Sequence, residues 1–288
     1  MKPSLFDSHM HTPLCGHAQG ELSDYADEAC RKGLDGIIFT CHTPLPDGMS
    51  AEVRMKAEEL PEYVDRVAQC RAEFKGRCDV RLGLEVDFVP GYESALEKII
   101  ESQPFDYIIG SVHPHLPEIR DAFWKEDPIA YGKTYFDLQA RAAETGLFDT
   151  IAHPDVLKIV RWADYDKALM KEEFARFLDR VAETGVCLEC NTSGLIRKVQ
   201  EIHPAPDLLP MIAERGIPVV IGSDAHDPLR VGDGFREGVE ALAEAGFKEL
   251  LVFTERQSQS VPLDSWKALV ADWSYCLQNE APASLHGG

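Results

Sequence analysis

The sequence of 288 residues has no apolar run approaching the ~20 residues that a membrane-spanning helix needs. It also lacks, near its first residues, the basic region, apolar stretch and cleavage site of a signal peptide. Basic residues are scarce, with 29 Lys and Arg against 49 Asp and Glu and a formal net charge of −20. That deficit argues against a broad nucleic-acid-binding surface. We therefore expect a cytoplasmic protein that binds neither a membrane nor nucleic acid, and we leave a homo-oligomer open.

The eight cysteines show no framework spacing, which suits a reducing compartment. The Cys-x-x-Cys pair, Cys187 and Cys190, lies in an apolar strand-like run, where residues three apart point to opposite faces. We interpret this pair as core thiols. Cys15 and Cys41 stand near His17 and His42 in the sequence, and we interpret them as packing residues too.

What the sequence does contain is a repeated alternation of strand-like and helix-like segments. Apolar strand-like runs lie at about 4–9, 35–40, 80–87, 106–112, 149–152, 186–190, 217–222 and 249–253. Segments with helical spacing lie between them, at 25–34, 51–74, 92–101, 131–145, 171–184, 206–215 and 234–245. Seven or eight such units without a linker-like break predict a single α/β barrel domain over 1–288, with a frayed tail at about 277–288.

Polar residues that can bind a metal stand where these strand-like runs end. The first run ends in Asp7-Ser8-His9-Met10-His11, and residues two apart in a strand point to the same side. Either histidine alone could be an ordinary structural residue. In a parallel barrel, however, all strand ends meet at one mouth, and eight of the ten histidines lie at or just beyond these ends. The sequence therefore predicts a metal site at the mouth.

The number of candidate ligands limits the number of ions. The candidates are His9, His11, His17, His42, Glu85, His113, His153, Asp224 and His226. A catalytic zinc ion typically takes about three protein ligands and a water, so this set suits two to three divalent ions, especially if Glu85 bridges. Imidazole and carboxylate ligands suit zinc, manganese or iron, and the sequence does not choose among them.

The motifs that carry these residues resemble a known family. They are the segments 7–12, 15–18, 39–44, 83–87, 111–113, 146–149, 152–155, 191–194 and 222–226. In this order they are similar to the polymerase-and-histidinol-phosphatase (PHP) superfamily of metal-dependent phosphoesterases. The Cys-Gly-His-Ala loop at 15–18 and Asn-Thr-Ser-Gly-Leu at 191–195 resemble its monofunctional histidinol-phosphate phosphatase branch.

The resemblance implies a distorted (β/α)7 TIM-like barrel with a trinuclear metal site at the carboxyl ends of the strands. It assigns His9, His11, Glu85 and Asp224 to one ion, Glu85, His113 and His153 to a second, and His17, His42 and His226 to a third. The implied enzyme is a histidinol-phosphatase, a phosphoric monoester hydrolase that converts L-histidinol phosphate to L-histidinol and phosphate in histidine biosynthesis.

Catalytic and substrate-binding roles follow from the same resemblance. Glu85 would act through the metals, and Asp224, His226 or a water would protonate the leaving group. Arg161 and Arg197 would grip the phosphate, and His115 is either a substrate contact or a loop residue. Candidates for binding the substrate amine are Asp155, Glu189 and Glu201.

This chain departs from the family pattern in two places. Cys41 stands where the family usually has Asp, which puts the support of His42 in question. The order of residues 195–199 also differs, which leaves open whether Arg197 or Lys198 faces the phosphate.

Three other functions compete with this prediction. One is another PHP phosphoesterase, such as a nucleotidase or exonuclease. A second is an amidohydrolase-like C–N hydrolase, which expects a bridging lysine at a middle strand end where this chain has Glu85 and His113. The third is a metal-binding domain without catalysis, which would leave the converging ligands unexplained.

Overall fold

Seven parallel strands form the centre of the molecule. The computed structural model describes residues 4–123, 126–160 and 166–279. The strands are β1 (Phe6–Met10), β2 (Gly36–Phe39), β3 (Asp79–Asp87), β4 (Tyr107–Ser111), β5 (Thr150–Ile151), β6 (Cys187–Asn191) and β7 (Val219–Gly222). Their order in the sheet is their order in the chain, and each neighbouring pair is parallel. Met10 also pairs with Ala225, just after β7, so the sheet nearly closes. The predicted distorted (β/α)7 TIM-like barrel is confirmed.

Helices follow the strands and cover the outside of the barrel. They are α1 (Leu22–Arg31), α2 (Leu60–Glu73), α3 (Glu93–Ile100), α4 (Pro117–Phe123), α5 (Pro128–Glu144), α6 (Leu157–Val160), α7 (Lys167–Ala182), α8 (Leu209–Glu214), α9 (Phe235–Glu244) and α10 (Leu263–Asn279). The sequence analysis missed α4, α6 and α10. Among the helices in the described part of the chain, none is both long and apolar enough to cross a bilayer.

The helix that we predicted from residue 51 begins only at Leu60. Short 3-10 turns at Ala51–Val53 and Ala57–Glu59 precede it, and Arg54 between them has extended backbone angles. This irregular stretch turns the Arg54 side chain inward, where it is 2% exposed. The helical spacing of the sequence did not reveal this break.

The eighth strand-like run is a strand, but it lies outside the barrel. It forms β8 (Glu249–Thr254), which pairs antiparallel with β9 (Gln257–Pro262). α10 extends to Asn279, which lies within the range 277–288 where the sequence predicts a frayed tail. Residues 280–288 lie outside the described ranges.

Candidate metal centre

The nine predicted ligands all lie at the carboxyl-terminal mouth of the barrel. His9 is in β1 and Glu85 in β3, and the other seven follow the ends of β1, β2, β4, β5 and β7. Asp224 (φ 54°) and His153 (φ 25°) adopt backbone angles that are rare outside glycine. Such strained positions concentrate at functional sites. At Gly222, an added Cβ would lie only 2.5 Å from both the His9 Cβ and a Glu189 carboxylate oxygen, so glycine makes room for both side chains.

The first group consists of His9, His11 and Asp224. The His9 and His11 Nε2 atoms are 3.2 Å apart, and Asp224 Oδ1 lies 3.1 Å from His11 Nε2 and 3.7 Å from His9 Nε2. Two nitrogen or oxygen ligands of one tetrahedral zinc ion lie about 3.3 Å apart. The first group therefore has the spacing of ligands that share an ion.

The second group consists of Glu85, His113 and His153. Glu85 Oε1 lies 3.1 Å from His153 Nε2 and 3.6 Å from His113 Nε2. Its other oxygen, Oε2, lies 3.5 Å from Nε2 of both histidines of the first group. Each carboxylate oxygen thus faces a different set of imidazoles, which is the arrangement that a bridging carboxylate needs.

The Glu85 carboxylate is also incompletely satisfied. Its side chain is 1% exposed. His42 Nδ1 lies 2.9 Å from Oε2 without the alignment of a hydrogen bond, and Oε2 has no hydrogen-bond donor among the described residues. A buried acceptor without a donor costs free energy unless water or a cation satisfies it. This orphaned oxygen fits a metal ion at the contact between the first and second groups.

The third group consists of His17, His42 and His226, whose ligand atoms lie within 4.8 Å of one another. The His17 and His226 Nε2 atoms are only 2.9 Å apart. His17 Nδ1 lies 2.9 Å from the Cys15 carbonyl oxygen and His226 Nδ1 lies 3.0 Å from that of Asp224, so each donates its Nδ1–H to a carbonyl. Neutral rings held in this way present lone pairs on both Nε2 atoms, and a shared cation relieves their repulsion.

Electrostatics across the site favour a positive charge. Burial lowers the pKa of His9, but Glu189, Asp224 and Glu85 outweigh it and hold that pKa well above its usual value. The pKa of His11 is raised to about 9, against the effect of burial, mainly by a hydrogen bond to Asp224. Burial lowers the pKa of His42 to about 4. Bound cations would replace protons at the raised groups and use the free lone pair of His42.

Carboxylates behind the ligands hold two of the rings in place, and the sequence analysis did not assign them this role. Glu189 Oε1 accepts a hydrogen bond of 2.7 Å from His9 Nδ1, and Asp87 Oδ1 accepts one of 2.7 Å from His113 Nδ1. Arg54 donates to Asp87 Oδ2 at 3.0 Å. Asp87 could have been found, because it lies two residues after Glu85 in the same strand and faces the same side.

An open cavity of about 610 Å³ leads to the three groups. Arg197 and His115 line it, whereas Lys198 is not among the lining residues. The structure therefore favours Arg197 in the choice that the sequence left open. Predicted substrate contact Arg161 lies outside the described residues. One wall is apolar and is formed by Val53, Leu116, Val156, Ile159 and Val160.

The three acidic residues predicted as candidates for binding the substrate amine do not line this cavity. Asp155 is fully buried and bonds His203 Nδ1 at 2.7 Å and Lys158 Nζ at 2.9 Å. Glu201 pairs with Lys167, and Glu189 is the partner of His9. Of the described carboxylates, Asp224 is the one that lines the cavity.

Comparisons with known proteins agree with this geometry. The model of the PHP domain family matches residues 7–193. A protein of Deinococcus radiodurans named "Probable histidinol-phosphatase" is 43% identical over 262 residues, which are 88% of this chain and 98% of that relative. The histidinol-phosphatase of Bacillus subtilis is 27% identical over 264 residues, 81% of this chain and 98% of the relative.

A solved structure has the same fold. Histidinol phosphate phosphatase from Lactococcus lactis, complexed with Zn, L-histidinol and phosphate, matches with a TM-score of 0.75. The match covers 89% of this chain and 99% of that chain at 22% sequence identity.

Proposed function

Because this chain belongs to the PHP domain family, we propose that it is a histidinol-phosphatase, which hydrolyses L-histidinol phosphate to L-histidinol and phosphate. The observation that carries the proposal is the cluster of nine imidazole and carboxylate side chains at the mouth of the barrel, six of which line one cavity, with Glu85 between two groups of them. The named relatives, which match over most of their own length, support histidinol phosphate as the substrate.

We propose that the cofactors are two to three divalent metal ions, with the three groups of side chains as their ligands. The orphaned Glu85 Oε2 and the facing Nε2 atoms of His17 and His226 support this assignment. Such ions activate water for attack on phosphorus and neutralise the charge of the phosphate. Zinc, manganese and iron all suit this set of ligands, and zinc is named with the Lactococcus lactis structure.

Arg197 is the proposed phosphate-binding residue. Its planar guanidinium can donate two parallel hydrogen bonds to phosphate oxygens, and it lines the cavity into which the third group also faces. Arg161 keeps the same proposed role from the sequence alone. In an acidic protein of net charge −20, these cationic groups provide the local attraction for a phosphate dianion.

Proton transfer to the leaving oxygen is assigned to a water that Asp224 or His226 orients, because both residues are already proposed as metal ligands and His226 donates its Nδ1–H to the Asp224 carbonyl. Both line the cavity, whereas Glu85 lies beneath it and acts by holding its neighbours. Asn191 and Ser193 hold Asp224 in place, because Asn191 Nδ2 and the Ser193 hydroxyl lie 3.4 and 3.2 Å from Asp224 Oδ2.

The apolar wall and His115 are the proposed contacts of the imidazole of histidinol. A neutral aromatic ring gains free energy by leaving water for such a wall. His115 lines the cavity and is exposed to solvent, so its ring nitrogens can donate a hydrogen bond to a bound ligand or accept one from it.

The decisive experiment compares kcat/KM for histidinol phosphate with generic phosphomonoesters, nucleotides and short oligonucleotides, with added manganese, zinc or iron. We expect a preference of about a hundredfold or more for histidinol phosphate, because a fitted pocket adds binding energy on the leaving-group side. Comparable rates on all esters, or a preference for nucleotides, would instead favour another PHP phosphoesterase. Cytoplasmic location, a single domain over 1–288, the lack of nucleic-acid binding and a homo-oligomer stay predictions.

A further inference from the structure

Cys15 occupies an unusual place beside the third group. It ends the 3-10 turn Pro13–Cys15 that follows β1, and its side chain is fully buried. The Cys15 sulfur lies 3.9 Å from His17 Nε2. The Cys15 carbonyl oxygen is the acceptor that fixes the His17 ring. One residue thus both orients a ligand of the third group and places a sulfur next to its free nitrogen.

The same sulfur is close to further ligand atoms. Cys15 Sγ, a ring nitrogen of His11 and a ring nitrogen of His226 lie within 4.8 Å of one another. His11 Nδ1 is buried, and no residue in the described part of the chain forms a hydrogen bond with it. A buried ring nitrogen without a hydrogen-bond partner, on a histidine that clusters with a thiol and a second imidazole, is an independent observation that fits a metal site here.

The distances also fit a shared tetrahedral ion. Bonds of about 2.3 Å to sulfur and about 2.1 Å to nitrogen separate the two ligand atoms by about 3.6 Å. The observed distance from Cys15 Sγ to His17 Nε2 is 3.9 Å. Three imidazoles leave a tetrahedral ion one position short, and the sulfur lies close to two of them, His17 and His226.

We propose that the Cys15 thiolate is the fourth protein ligand of the ion that His17, His42 and His226 hold. The thiol loses its proton to solvent when the ion binds, and the new bond is between sulfur and metal. This inference rests on the metal centre proposed above and replaces our interpretation of Cys15 as a packing residue.

A thiolate ligand would change which metal ion the third group prefers. Soft sulfur ligands favour zinc over manganese, whereas the imidazole and carboxylate ligands of the other two groups accept either metal. A site with four protein ligands is also closed. The open coordination positions that hydrolysis needs would then lie at the first and second groups, on either side of Glu85.

The test uses cobalt absorption spectra of the full-length chain. The protein is freed of metal with a chelator, kept reduced and titrated with Co²⁺ without oxygen. We expect a thiolate-to-cobalt charge-transfer band in the near ultraviolet for the wild type, and its loss in Cys15→Ser with cobalt still bound. Cys190→Ser is the matched control, because Cys190 is equally buried and its sulfur faces α9, 3.4 Å from where a Cβ at Gly238 would lie.

The possible results separate the two proposals. Cobalt binding without the band, or a band that survives in Cys15→Ser, overturns Cys15 as a ligand and leaves the metal centre standing. Failure of the wild type to bind cobalt, zinc or manganese overturns both. If Cys15→Ser does not fold, zinc-edge X-ray absorption of the wild type decides. One sulfur at about 2.3 Å supports the proposal, and nitrogen and oxygen neighbours alone overturn it.

A second measurement is the metal preference of the folded variants. We expect Cys15→Ser to lose zinc affinity at its weakest site by roughly tenfold or more, with a smaller change for manganese. Cys190→Ser should show neither change. Equal loss for both metals would contradict a soft ligand and would make Cys15 a residue that only supports the fold of the loop.

Discussion

Buried polar and charged groups are paired at one end of the barrel and partly unpaired at the other. At the end away from the mouth, the β8–β9 hairpin pairs polar groups that the strands leave there. Arg81 donates to the Phe253 carbonyl at 2.7 Å, Arg256 contacts Asp149 Oδ2 at 2.6 Å, and the Arg256 amide donates to the Asp106 carbonyl at 2.9 Å. At the mouth, the buried Glu85 Oε2 and His11 Nδ1 have no hydrogen-bond partner among the described residues. The pairs at the far end stabilise the fold. The unpaired atoms at the mouth are available to bind the proposed metal ions.

Replacing Glu85 should have the largest effect on the mouth. Glu85→Ala removes both oxygens that lie between the first and second groups, so we expect the two ions to bind poorly and kcat/KM to fall by roughly a thousandfold or more. Steady-state kinetics and metal analysis of the purified variant measure the two effects. Wild-type turnover together with wild-type metal content would show that the bridging assignment is wrong.

A substitution at Asp87 tests whether the carboxylates that hydrogen-bond the metal ligands contribute to metal binding at the mouth. Asp87→Ala leaves the His113 ring without its hydrogen-bond acceptor, and removal of such a partner typically costs about 10–100-fold in metal affinity or activity. It also leaves the buried Arg54 without its carboxylate. The double variant Asp87→Ala/Arg54→Met removes that unpaired charge.

Metal affinity and thermal unfolding of the two variants separate these contributions. If the double variant regains stability but not metal affinity, Asp87 positions His113. If it regains both, the loss came from the uncompensated arginine and not from the histidine.

Arg197 and Lys198 form a matched pair of neighbouring cations, one lining the cavity and one not. A charge-assisted hydrogen bond contributes about 1.5–3 kcal/mol, so Arg197→Ala should lower kcat/KM for histidinol phosphate by roughly 10–100-fold. Lys198→Ala should change it less than about twofold. Equal effects of the two substitutions would mean that only the local positive charge matters, and an unchanged Arg197→Ala would remove Arg197 from the site.

The sequence was sufficient to predict those parts of the mouth that follow from strand geometry. Residues two apart in a strand share a face, and parallel strands end at one mouth, so these two rules alone place His9, His11 and Glu85 together. The contact between Glu189 and His9 could not be predicted in this way, because β1 and β6 are not neighbours in the sheet. It depends on the closure of the barrel, which brings distant strands to face each other across the interior.

Two other features, the inward position of Arg54 and the pairing of the run at 249–253, could not be predicted from the sequence pattern. The inward turn of Arg54 depends on a break in a segment whose spacing looks helical throughout. The run at 249–253 has the composition of a barrel strand, and nothing in it indicates that it pairs with Gln257–Pro262 and packs at the far end. A strand-like pattern predicts the local conformation of the chain, but its partner is decided by tertiary contacts.

Arg256 at the far end gives the smallest expected effect on catalysis and tests the comparison from the other side. Its side chain is 31% exposed and contacts the Asp149 side chain, which is 9% exposed, and its guanidinium also donates to the Leu147 carbonyl at 2.8 Å. Because Arg256→Ala leaves a largely buried carboxylate without its arginine partner, we expect the free energy of unfolding to fall by about 1–2 kcal/mol.

The control Arg66→Ala, which breaks an exposed pair with Glu62 on α2, should lower the free energy of unfolding by less than about 0.5 kcal/mol. Neither substitution should change kcat/KM or bound metal, since both residues lie far from the ligands in the fold. A loss of metal from Arg256→Ala would mean that the hairpin sets the geometry of the mouth, and that the two ends of the barrel are not independent.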